Sequence, residues 1–158
     1  MVERCDAPSA DNSVPALSTR TATTALSTSA GAERTSTDGA AIASHLLADG
    51  QTASHLAAMI LRLTPVPDER TYDLAWSIAR WSRNFGVRPE LVVAVIFVES
   101  RFDPQARNGQ YHGLGQLSPT IRAAWHAGDG YDLASNVRAT CAHLAGLVRS
   151  YGEERALG

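Results

Sequence analysis

The sequence predicts an all-α domain built around one buried central helix, preceded by a disordered polar tail. Three observations carry this. Apolar residues recur at helical spacing from Ile42 onward. Residues 91–98 read Leu-Val-Val-Ala-Val-Ile-Phe-Val, apolar on every side. All ten aromatic residues lie at or beyond Tyr72, so nothing earlier can supply an aromatic-rich core. A chain of 158 residues allows one ordinary domain and a tail.

Residues 1–37 are dominated by Ser, Thr and Ala, with Pro8 and Pro15 and no periodicity. Such a segment cannot bury enough apolar surface to offset its ordering entropy. It is expected to be disordered and to serve as a passive linker or as an export or docking signal. Residues 38–67 form a second stretch. Ile42, Leu46 and Leu47 recur at helical spacing, then Leu56, Met59, Ile60 and Leu63, with Asp49-Gly50 between them. This predicts two short amphipathic helices, or one with a break. Pro65 and Pro67 mark the boundary to the main domain, residues 68–158.

Within that domain Leu74, Ile78, Trp81 and Phe85 share one helix face, and Gly86 is a natural stop. Pro89 suits the first turn of the next helix. Residues 91–98 would also fit a buried strand, and periodicity alone does not decide between the two. The abutting helices and the Pro-Glu start favour the helix. Residues 101–117 read as a loop, with Asn108-Gly109 and Gly113-Leu-Gly115. Ser118-Pro119 predicts an N-cap and first turn, followed by a short helix through Trp125. After Gly128-Asp-Gly130, a longer helix carries Leu133, Val137, Cys141, Leu144, Val148 and Tyr151 on one face, closed by Gly152.

Composition removes several function classes. Residues 41–158 hold eleven Arg and eleven acids, a neutral balance that argues against nucleic-acid binding. The chain has no Lys, which excludes P-loop, Schiff-base and kinase chemistry. Cys5 and Cys141 make a poor disulfide framework, so Cys141 is expected to be a free, semi-buried thiol. The five His show no H-x-x-x-H or other metal-ligand spacing, so no metal is expected. No stretch approaches the roughly 18 apolar residues of a membrane span. No apolar segment of a signal peptide follows the N-terminus.

Glu99 is the candidate catalytic residue. It ends the apolar run, at the C-terminus of the central helix. Burial and the negative end of the helix dipole would both disfavour its charged form. A carboxylic acid protonated near neutral pH is what general-acid cleavage of a glycoside requires. The bland alternative is a Glu that ends its helix at the surface. Further on lies Gly113-Leu114-Gly115-Gln116-Leu117-Ser118-Pro119. Its glycines let backbone approach a ligand, and Gln116 offers both a donor and an acceptor to a neutral group such as an N-acetyl.

Glu99-Ser100 followed by Gly-Leu-Gly-Gln-Leu-Ser-Pro resembles the catalytic domain of soluble-type lytic transglycosylases, in the lysozyme-like superfamily. That family carries Glu-Ser at the end of an apolar helix, then an Asn-Pro-like turn, then Gly-Leu-Met-Gln-Leu-Met-Pro. Phe102-Asp103-Pro104-Gln105-Ala106 matches the turn, and Gly115 stands where the family has Met. Asn136-Val137-x-x-Thr140-x-x-His143-Leu144 resembles the family's Asn-Ile-x-x-Gly-x-x-Tyr-Leu, with Thr140 and His143 as departures. The resemblance spans roughly residues 70–157. Family members continue into an Ala-Tyr-Asn-Ala-Gly segment that helps form the glycan cleft, a segment beyond Gly158.

The resemblance implies a lysozyme-like fold and cleavage of peptidoglycan between N-acetylmuramic acid and N-acetylglucosamine. Glu99 would serve as both acid and base, a 1,6-anhydromuramoyl end would form, and no metal or organic cofactor is implied. Ser100, Gly113, Leu114, Gln116 and Asn136 would bind substrate. The implied partners are glycan strands, with a secretion system or virion as delivery route and action at the cell wall outside the cytoplasm. A water-using muramidase would need a second carboxylate, for which Asp103, Asp129 and Asp132 are the nearby candidates. Asp103 fits better as a turn cap. A third reading is a non-catalytic wall-binding or assembly component.

Overall fold

The computed structural model describes residues 32–64 and 69–156. The predicted tail up to residue 31 and the Pro65–Pro67 boundary lie outside these. Among the described residues, six helices and a two-stranded hairpin follow in the order α1 (Ala32–Leu63), α2 (Thr71–Phe85), α3 (Pro89–Ser100), β1 (Arg107–Asn108), β2 (Tyr111–His112), α4 (Pro119–Ala124), α5 (Leu133–Tyr151) and α6 (Glu153–Ala156). The predicted all-α class holds, and the apolar run of residues 91–98 is helical.

Two expectations about the N-terminal region need correction. Residues 32–37, assigned from composition to the disordered tail, are the first turns of α1. The expected break at Asp49-Gly50 is absent, and α1 runs unbroken for 32 residues. A mid-helix Gly costs about 1 kcal/mol relative to Ala. Tertiary packing overrides that cost. The Asp49 carboxylate is buried and accepts from the Arg83 guanidinium of α2 at 2.8 Å. At Gly50 the Trp76 ring comes within 3.5 Å of where a Cβ would sit. Asp49, Ala53, Leu56 and Ile60 form the stripe that packs on α2, and the last three join the main core. Ile42 and Leu46 continue that stripe but are exposed.

The main core gathers Leu56 and Ile60 of α1, Leu74 and Ile78 of α2, Val92 and Ile96 of α3, and Val137 and Leu144 of α5. Helix α2 stops as predicted: Gly86 adopts φ 69°, and the Val87 N–H returns to the Ser82 carbonyl at 3.0 Å. Pro89 then opens α3. A smaller cluster, Leu117, Ala127 and Ala139 with Ile121 and Trp125, fastens α4 to α5. Ser118 caps α4 by accepting from the Ile121 N–H, and Asp132 caps α5 by accepting from the Ser135 N–H at 2.9 Å. Of the predicted buried face of α5, Tyr151 is the exception and is exposed.

Helix α3 explains its own composition. Leu91, Val92, Val93, Ile96 and Ser100 are buried. Ala94, Val95, Val98 and Glu99 lie on the other side and line a cavity. The helix is apolar all round because one face meets the core and the other meets this cavity, not because both are buried. Val98 is 78% exposed.

Candidate active site

The cavity measures about 500 Å³, within the range of small-ligand sites. One wall is the outer face of α3, ending in Glu99. The opposing elements are α5, through Thr140, His143, Leu144 and Leu147, and the segment from Tyr111 to Ser118, with Ile121 of α4 behind it. The spacing 140, 143, 144, 147 is a single helix face.

Glu99 is exposed at this cavity. The burial expected from its apolar neighbours is therefore not there, because those neighbours are divided between core and cavity. Among the described residues Glu99 makes no hydrogen bond or ion pair, so its carboxylate is open to a ligand. Beyond it, Arg101 ends the helix at φ 55° and Phe102 follows at φ 65°. Two successive non-glycine residues in this region carry strain. Side-chain packing opposes it: Phe102 sits 5.6 Å from Phe97, and the Arg101 guanidinium lies 4.6 Å over the Phe97 ring.

The Gly-Leu-Gly-Gln loop is held from below by Asn136. Its Oδ1 accepts the Gly115 N–H at 2.9 Å, and its Nδ2 donates to the carbonyls of Gly130 at 2.7 Å and His112 at 3.2 Å. Asn136 is 1% exposed. Gly113 has φ 74°, and a Cβ there would overlap the Gly130 carbonyl and the Asn136 amide. Gln116 lies in the cavity wall. Its Nε2 donates to the Gly113 carbonyl at 2.8 Å and the Ala106 carbonyl at 3.1 Å. Both amide hydrogens are thus committed, which leaves Oε1 as the acceptor for a ligand.

Of the six site residues expected from the sequence, Glu99 and Gln116 meet at the cavity. Ser100, Gly113, Leu114 and Asn136 are buried and do not line it. Ser100 Oγ donates to the Ile96 carbonyl at 3.1 Å. These four support the wall from behind. Tyr111, Thr140 and His143 do line it and were not expected as site residues. Helical spacing on α5 could have pointed to Thr140 and His143; no local signal marks Tyr111.

The other acids are engaged elsewhere. Asp103 accepts the Gln105 N–H at 2.8 Å, the turn cap its sequence position suggested. Asp129 accepts the Tyr131 N–H at 3.1 Å. Asp132 caps α5, and the Ser135 hydroxyl and N–H hold its carboxyl below the usual range. Among the described residues Glu99 is the one carboxylate on the cavity.

Residues 77–157, just over half of the chain, match the family model of the transglycosylase SLT domain. The chain belongs to that family. The SLT match begins inside α2 and runs past α6, so it contains both walls of the cavity and the loop between them. Helix α1 lies ahead of the matched stretch yet shares the SLT domain's core. SLT membership implies activity of the peptidoglycan transglycosylase type. No curated protein and no solved structure matches the chain. No helix among the described residues is long and apolar enough to cross a membrane.

Proposed function

We propose that this SLT domain cleaves the bond between N-acetylmuramic acid and N-acetylglucosamine in peptidoglycan and leaves a 1,6-anhydromuramoyl end. The observation that carries this reading is that, among the described residues, Glu99 is the single carboxylate on the cavity. Glu99, as acid, gives its proton to the glycosidic oxygen as the bond to the muramoyl C1 breaks. The resulting carboxylate takes the proton of the muramoyl C6 hydroxyl, whose oxygen closes onto C1. Glu99 is thereby returned to its starting form. The substrate supplies the nucleophile, so one carboxylate suffices. A two-carboxylate hydrolase places its pair at roughly 5–5.5 Å or 6.5–9.5 Å across the scissile bond, and Asp103, Asp129 and Asp132 are all occupied away from the cavity.

Supporting groups fit a neutral polar ligand. Gln116 Oε1 and the Ser118 and Tyr111 hydroxyls offer hydrogen bonds, while Val95, Val98, Leu144 and Leu147 supply apolar wall that displaces water from bound sugar. The site of action on this reading is the cell wall outside the cytoplasm, reached through a secretion system or in a virion. Mass analysis of muropeptides released from purified sacculi tests the chemistry. Anhydro ends, one water lighter than reducing ends, are expected. Reducing ends alone would replace this reading with hydrolysis.

A further inference from the structure

One polar group on the cavity is left unused by this reaction. His143 stands on the α5 face with Thr140, Leu144 and Leu147. The Thr140 hydroxyl is turned inward, donating to the Asn136 carbonyl at 2.9 Å. The His143 imidazole makes no hydrogen bond or ion pair to any described residue. It is half-buried, so it has given up part of its water without gaining a protein partner. A polar group in that condition is costly unless a ligand or water completes it. The geometry points to a ligand, because both ring nitrogens belong to a side chain on the same cavity as Glu99.

We propose that His143 is a substrate-binding residue that hydrogen-bonds a hydroxyl or acetamido group of glycan held beside Glu99. This rests on the glycan-cleaving reading above and deepens it. A neutral imidazole carries one donor and one acceptor, which suits sugar hydroxyls and amides, each of which can supply the opposite partner. Burial lowers the imidazole's affinity for a proton below the ordinary value of 6.5, so the neutral form is the one present at neutral pH. Protonation converts the acceptor nitrogen into a second donor and removes half of the recognition. The titratable groups that share the cavity with it are Glu99 from α3 and Tyr111 from β2; α4 contributes Ile121, and α2 and α6 contribute none.

The test is a binding titration of the full chain with chitotetraose at pH 7.5 and pH 4.5. It is done in the Glu99→Gln background, which suppresses turnover and leaves no carboxylate among the described residues that line the cavity. Affinity is expected to fall about two- to tenfold at the lower pH, the size of one neutral hydrogen bond. Adding His143→Phe should weaken binding by a similar factor at pH 7.5 and abolish the pH dependence. Adding His143→Gln, which keeps a donor and an acceptor but does not titrate, should bind nearly as the parent does and be flat with pH. Equal affinity of the Phe variant and its parent, or a pH dependence that survives in it, overturns the proposal. So does failure of the parent to bind. The anhydro product from wild-type digestion reports on the reaction separately, so either idea can fail without the other.

Discussion

A side chain at Gly115 would collide with Thr140: its Cβ would sit 3.1 Å from both Thr140 Cβ and Cγ2 and well inside contact with Oγ1. Gly115 and Thr140 therefore share one volume in the cavity wall. Neither can be understood alone, because each fills or vacates space that the other defines.

This shared volume predicts strong non-additivity. Gly115→Ala should destabilise by about 1–3 kcal/mol, the usual range for overpacking. Thr140→Gly should also destabilise, through lost packing and helix propensity. The double variant should lose less than the sum by about 1 kcal/mol or more. Urea denaturation of all four proteins measures this, and additivity within about 0.5 kcal/mol would show that the two sites do not share the space.

Glu99→Gln should reduce wall digestion by about 10²–10⁴-fold, the range of general acid–base catalysis. Its melting temperature should match wild type, since the exposed carboxylate has no partner among the described residues. Asp103→Asn should retain most activity, because Asp103 serves a turn. Equal loss in both variants, read in a turbidity assay, would point to a two-carboxylate reaction.

Arg83→Ala should destabilise by about 2 kcal/mol. It strands the buried Asp49 carboxylate and removes the guanidinium that also donates to the His45 carbonyl at 2.9 Å. Arg83→Ala with Asp49→Ala should recover much of the loss. If the double variant is no better than the single, the pair does not hold α1 on α2.

Asp132→Ala should cost about 1 kcal/mol through loss of the α5 cap. The native carboxyl sits below its usual 3.8 because Ser135 bonds the charged form. The unfolded state therefore binds the proton more readily. This stabilisation is present above pH 3.8 and is lost as pH falls through the lower native value. Acid titration of stability should show a shallower limb in the alanine variant. Identical limbs would remove Asp132 from the account.

Cys141 should resist thiol reagents in the native protein. It is fully buried, and burial pushes its thiol up to about 12. Labelling should appear only as denaturant opens the core, tracking the unfolding curve. Rapid labelling in buffer would mean that the α2–α5 seam, where Ser82 Oγ lies 4.0 Å from the sulfur, opens locally.

Helix starts and stops were legible in the sequence because they are local events. Gly86 must end a helix where a positive φ is needed, Pro89 must begin one, and Ser118-Pro119 caps the next. The same locality placed Glu99 at a helix end and Gly113 and Gly115 in one loop, which is why the motif could be read. What the sequence could not determine was which side of α3 faced protein, since a helix apolar all round has no preferred face of its own. That was decided by α1, α2 and α5 packing on Leu91, Val92 and Ile96, which left Val95, Val98 and Glu99 to the cavity. The unbroken α1 depends on Arg83, 34 residues from Asp49. The inward turn of Asn136 depends on Gly115 and Gly130, and the presence of His143 and Glu99 on one cavity depends on α5 lying across from α3. Each of these is a contact between distant residues, whose free energy exists only once the chain has closed on itself.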